Sequence, residues 1–177
     1  GNDDNNNKRN DENKSTTIPR FEKETDDRAP SNQWYTVDAA FDVVILEGWC
    51  VSAVAESESA MDIAINDLER DEDSDGIWRS YVNMMLREQY QTFFELFTKT
   101  VLLRAPSFES IVSWRKKQER KLREKLAITG KLVDFNGLMS DAEIERFVMH
   151  YERLTRWMLL EMPSRADACL HLNKEHG

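Results

Sequence analysis

Three clusters in the sequence carry side chains able to do chemistry. The first is "FDVVILEGWCVS", Phe41 to Ser52, where an apolar run delivers Glu47 directly before Gly48 and Trp49. A carboxylate at the carboxyl end of a buried parallel strand sits where open α/β sheets bind ligands. There it suits a magnesium ion, or the ion's waters, beside nucleotide phosphates. Gly48 lets the backbone turn closely at that point. By position alone, a solvated glutamate at a strand end is the plainer reading. The second cluster is Asp26, Asp27 and Arg28, two carboxylates beside a guanidinium that suit hydroxyl, metal or phosphate recognition. A surface ion pair explains them as simply.

The third cluster is the basic run Arg115, Lys116, Lys117, Arg120, Lys121, Arg123 and Lys125. A transferring phosphoryl group needs cations that close over it, and a basic helix next to a glycine-containing loop supplies them. Interleaved Glu119 and Glu124 also fit an ordinary solvated helix face. His150, His171 and His176 lack zinc-ligand spacing, and no Gly-x-Ser-x-Gly elbow is present.

The elements that position these groups follow from patterning. Residues 1–17 contain no apolar side chain and read as a disordered or loop segment, with a domain over 18–177. The chain also starts without methionine, as a fragment or processed product would. Val43 to Glu47 is continuous and β-branched, which predicts a central parallel strand covered on both faces. Ser74 or Asp75 is placed to cap a long helix whose apolar residues run from Trp78 to Phe97. Thr100 to Ala105 reads as a second strand, and Ser107 as the cap of the helix that becomes basic. Ser140 and Glu143 form a capping box for a helix to about Glu161, which Pro163 ends. Ala166 to Leu172 is the last strand. Strand, helix, strand, helices, strand predicts an α/β fold with a mostly parallel sheet and flanking helices.

Composition narrows the function. The 177 residues are 40% hydrophobic and carry a formal charge of −9, which argues against nucleic acid or an anionic membrane as partner. Cys50 and Cys169 are too few for a disulfide framework and read as reduced thiols of a cytoplasmic protein. No signal peptide or membrane-spanning run is visible in the sequence.

Five stretches in order resemble the D-glycerate 3-kinase-like family of P-loop kinases: "PRFEKETDDRAPSNQW", "DVVILEGWCVS", "INDLERDEDSDGIWRSYVN", "LLRAPSFESIVSWRKKQERKL" and "FVMHYERLTRWMLLEMPSRAD". The likeness runs from Ile18 to about Leu172. It implies a P-loop NTPase-type sheet, ATP and Mg2+ as cofactors, and transfer of the γ-phosphate to a small hydroxy acid. On that resemblance Glu47 matches the acidic strand end beside the nucleotide metal, with Gly48 after it. Asp26, Asp27 and Arg28 match the acceptor side. Arg115, Gln118 and Glu119 match a lid-like region, next to Arg120 on the phosphate side. The family often has glycine where this chain has Ser52.

One departure is large. The 177 residues contain no Gly-x(4)-Gly-Lys-Ser/Thr, and Gly130-Lys131 lacks the upstream glycine. The resemblance therefore implies an incomplete sheet, without the phosphate-loop strand and helix. It implies part of a kinase that is inactive alone, with a complementing chain as one source of the missing strand. A non-catalytic interaction protein with a kinase-like fold is the alternative.

Overall fold

The computed structural model describes residues 15–22, 27–38, 41–129 and 137–175. It divides the chain into two compact bodies, Gly1–Glu47 and Gly48–Gly177. In the first, β1 (Ser15–Ile18) pairs antiparallel with β4 (Tyr35–Asp38), from Ser15↔Asp38 to Ile18↔Tyr35. Inside that pair, β2 (Phe21–Glu22) and β3 (Asp27–Arg28) form a short antiparallel ladder. The strand β1 begins inside the stretch expected to be loop. "STTI" is polar yet β-branched, and β-branched residues fit a pleated backbone once a partner strand supplies the hydrogen bonds.

Val43 to Glu47 departs most from expectation. It has no ladder partner among the described residues, and Val43, Val44 and Ile45 are 73%, 80% and 86% exposed. The covered central parallel strand is thus corrected to an unpaired apolar segment. Its β-branched run satisfies a local preference, but strand structure needs a neighbour to take up N–H and C=O groups.

The second body opens with α1 (Asp67–Glu72) and continues through α2 (Ile77–Met85), a π-helical turn over Leu86–Tyr90, and α3 (Gln91–Phe94). The single long helix expected here is interrupted by that π turn, and neither Ser74 nor Asp75 accepts from its N2 or N3 amide. Asp73 takes the first turn's donors instead, accepting from the N–H of Trp78 at 2.8 Å and of Arg79 at 3.1 Å. Burial raises the Asp73 carboxyl, but those donors and the Arg79 guanidinium outweigh it and hold the group below its usual range. The chain can double back this tightly because Gly76 adopts φ 72°, where a Cβ would meet the Arg79 guanidinium at 2.9 Å.

The remaining elements follow the pattern read from sequence. Strand β5 (Val101–Arg104) pairs parallel with β6 (Ala168–His171). Helix α4 (Phe108–Ile128) is capped by Ser107, and α5 (Asp141–Glu161) by the Ser140/Glu143 capping box. Pro163 lies in the 3-10 turn that closes α5. The architecture is mixed α/β with small sheets. The mostly parallel sheet is corrected, because only the β5–β6 pair is parallel among the described residues.

Ile144 and Val148 of α5 are fully buried, joined in the core by Phe108, Met162 and Ala53. A polar network completes this packing. Arg153 of α5 grips Glu69 of α1 with Nε at 2.8 Å and Nη2 at 2.6 Å, and also donates to the Ala60 and Ile63 carbonyls. Asn66 caps α1 through the Glu69 amide and donates to Met149 O and Glu152 on α5.

Two outcomes are expected. Ile45→Lys places a charge in the unpaired run, so light scattering on heating should fall while the unfolding midpoint barely moves, since exposed substitutions change stability by about 0.5 kcal/mol or less. Unchanged scattering would mean the run does not drive association. Ser52 holds φ 62°, a left-handed conformation that disfavours a side chain. Ser52→Gly should raise stability by about 0.5–1 kcal/mol, as a rise of ~1–4 °C in unfolding midpoint. A lowered midpoint would show that the strain is offset by contacts of the serine side chain.

Candidate functional site

The turn after Glu47 sets the site's first wall. A Cβ on Gly48 would come 2.9 Å from Val51 Cγ2, so the turn is built around a missing side chain. Trp49 follows, its indole N–H donating to Thr155 Oγ1 at 2.9 Å and its ring stacked on Tyr151 at 4.8 Å. "EGWCV" and "HYERLT", distant in sequence, therefore meet through named side chains. Two carbonyls just beyond are also held, Ser52 O by the Arg165 guanidinium and Val54 O by the Trp157 indole.

Helix α4 supplies the second wall. Trp114, Lys117, Gln118 and Lys121 recur at i, i+3, i+4 and i+7, which puts them on one face of a helix. With Trp49, Ile111, Arg115 and one carboxylate, Glu175, they line a cleft of about 510 Å³, in which three cations outnumber the single acid. The Trp114 indole is oriented by a 2.7 Å hydrogen bond to Lys174 O.

The charges of α4 divide by partner. Lys116 binds Glu145 at 2.5 Å, with Asp141 at 3.8 Å. Arg115 donates through Nη1 to Glu119 at 2.9 Å and to Gln118 at 3.4 Å. Glu119 is only 3% exposed and its other oxygen accepts from the Met139 amide at 2.8 Å, so Arg115 is a fixed cation at the cleft. Arg123 is spent on the Met139 carbonyl. Lys117 and Lys121 line the cleft with no carboxylate within ion-pair distance among the described residues. Two uncommitted ammonium groups between two indoles suit a ligand that is both aromatic and anionic.

The residues singled out from sequence are distributed over both bodies. Asp27 and Arg28 form β3 in the first body, both exposed, with Asp27 accepting from the Arg28 amide at 2.6 Å. Glu47 is the last residue of the first body and is exposed. Asp26 and the Gly130-Lys131 pair lie outside the described residues. Gly48 and Arg115 belong to the second body; Arg115 lines the cleft and Gly48 precedes the lining Trp49, whereas Arg120 is exposed and does not line it.

No three His, Cys, Asp or Glu side chains among the described residues converge to hold a metal. Magnesium usually keeps several waters and takes one or two carboxylates besides phosphate oxygens. Glu47 therefore fits as a single ligand to a nucleotide-bound ion and not as an all-protein site. Burial pushes the Cys50 thiol up to about 11, which keeps it protonated at neutral pH and unsuited to nucleophilic chemistry.

Trp49 and Trp114 were not assigned site roles from sequence, and Lys117 and Lys121 were named only as members of the basic run, without being singled out from it. The signal was present as the 114/117/118/121 spacing, but periodicity does not say which cations of a basic helix are already neutralised.

No family model matches the chain, and no curated protein sequence matches it. Among solved structures, the fold is similar to D-glycerate 3-kinase from Cryptococcus neoformans var. grubii serotype A. The TM-score is 0.64 and the identity 17%, over 93% of this chain and 57% of that one. The chain spans a little over half the length of that kinase. At this identity the likeness is one of fold: the two bodies carry a kinase-like mixed α/β architecture.

Proposed function

We propose that this chain is part of an ATP-dependent kinase of the P-loop type that phosphorylates a hydroxyl of a small hydroxy acid such as D-glycerate. The observation that carries the reading is the α4 cleft, where Lys117 and Lys121 stand unneutralised beside Trp49 and Trp114. The similarity of fold to a D-glycerate 3-kinase supports it.

Phosphoryl transfer leaves little covalent work for a protein. Catalysis rests on positioning and on charge offered to the phosphoryl oxygens as the bond to the leaving oxygen loosens. In this reading Lys117 and Lys121 meet the polyphosphate and the indoles offer faces to the base. Arg115, held by Glu119, keeps a fixed positive charge at the edge. The family resemblance, independently of the α4 cleft, assigns Asp26, Asp27 and Arg28 to the acceptor side and Glu47 to one position on the cation that accompanies ATP.

A phosphate cradle of backbone N–H groups is not encoded in these residues. The chain is therefore a ligand-binding part that does not itself complete the transfer.

Tryptophan fluorescence titrated with ATP tests this. Saturable quenching is expected, and the Lys117→Ala/Lys121→Ala double variant should weaken binding by roughly 10–100-fold, the scale of one or two charge-assisted hydrogen bonds. Arg120→Ala should leave the affinity unchanged. The purified chain should give no ATP-dependent phosphorylation of D-glycerate in a coupled assay. Equal affinity in the double variant would overturn the assignment of the cleft, and turnover by the purified chain would overturn its partial character.

A further inference from the structure

A second cleft, of about 410 Å³, lies between α1, α2 and α5 and shares no lining residue with the α4 cleft. Its apolar walls are Leu68, Trp78, Val82, Met149 and Leu154. Trp78 is 69% exposed, so a ring face of about the right size for a small ligand is open to solvent.

Four carboxylates line the same space, and three are fully engaged. Glu69 holds Arg153 through both oxygens and accepts the Ile65 amide. Asp73 accepts the Trp78 and Arg79 amides and the Arg79 guanidinium. Glu72 is bound by Arg146 at 2.5 Å.

Glu56 is different. Its Oε1 is buried and has no hydrogen-bond partner among the described residues. Arg153 Nη1 forms an ion pair with it at 3.6 Å, longer than a hydrogen bond, while the Arg153 donors go to the Ala60 and Ile63 carbonyls and to Glu69. The Glu56 backbone is fixed by a two-way clasp with the Asn83 amide, at 2.8 Å and 3.1 Å. The carboxylate is therefore held in place by its main chain while one oxygen waits for a donor. Burial raises this carboxyl above its usual range, and the Arg153 guanidinium opposes the shift only in part.

An unsatisfied buried oxygen is destabilising, and a ligand that donates to it recovers that loss on binding. The lining sets what kind of donor this is. Four carboxylates face two guanidiniums and His150, so the balance of formal charge repels anions. The apolar walls favour a hydrocarbon body, and the indole of Trp78 attracts a cation over its face.

We propose that this cleft binds a small organic cation, a protonated amine on an apolar body, whose N–H donates to Glu56 Oε1 and whose body packs against Trp78. The site is independent of the kinase reading, since it shares neither residues nor ligand charge with the α4 cleft.

Calorimetric titration with 2-phenylethylammonium at neutral pH and low salt is the test. Saturable binding is expected, weakened at least tenfold by Glu56→Gln and severalfold by Trp78→Leu. Glu58→Gln, at an exposed carboxylate outside the cleft, should leave it unchanged. A carboxylate of the same size, 3-phenylpropionate, should not bind. Circular dichroism checks that Glu56→Gln folds; if it does not, Trp78→Leu decides, because that side chain is largely exposed. No saturable binding of the amine, equal binding by Glu56→Gln or Trp78→Leu, or equal binding of the carboxylate would overturn the proposal.

Discussion

The second body depends on one buried ion pair. Arg153 leaves α5 and closes the Nε–Nη2 edge of its guanidinium on both oxygens of Glu69 of α1, while Nη1 donates to the Ala60 carbonyl and Nη2 also to that of Ile63. Such a pair is strongly coupled to the fold. Its desolvation is repaid only when every donor is used, and loss of one partner leaves an uncompensated charge worth about 3–5 kcal/mol. The stretch from Ala60 to Glu69, distant in sequence from α5, is thereby locked to one helix face. The stacking of Trp49 on Tyr151 and its bond to Thr155 come from the same helix, within two residues of Arg153. Both clefts thus share α5 as a reference, directly for the acidic one and through Trp49 for the basic one.

That arrangement accounts for why "INDLER" and "HYERLT" read as a set. Asn66 and Glu69 of the first stretch answer Met149, Glu152 and Arg153 around the second. The side chains that make the resemblance are here largely the ones that hold helices together. A kinase-like fold follows from such contacts, while the functions proposed above rest on groups the contacts leave free: Lys117 and Lys121 on α4, and one oxygen of Glu56 in the acidic cleft.

The first body is the converse case. Its two small antiparallel ladders carry most of their side chains to solvent, and its apolar run from Val43 to Leu46 finds no ladder. A run of β-branched residues is a strong local signal, but it encodes a preference for extended backbone and nothing about a partner. The described residues offer no strand paired with it, so the run stays exposed and without a ladder.

What the sequence determined by itself lies within the reach of a turn or two of chain. The Ser107 and Ser140 caps, the limits of α4 and α5, the stop at Pro163 and the strands β5 and β6 were legible because each depends on residues a few positions apart. The basic character of α4 was legible for the same reason. Tertiary structure decided the rest. Asp73 displaces Ser74 and Asp75 at the start of α2 because Gly76 folds the chain back onto it. Lys116 is neutralised by Glu145 of α5 and Arg115 by Glu119 four residues along α4, whose burial and bond to the Met139 amide come from the returning chain. Lys117 and Lys121 meet no such carboxylate among the described residues. Burial and long-range pairing depend on where the chain returns in space, which local spacing does not encode.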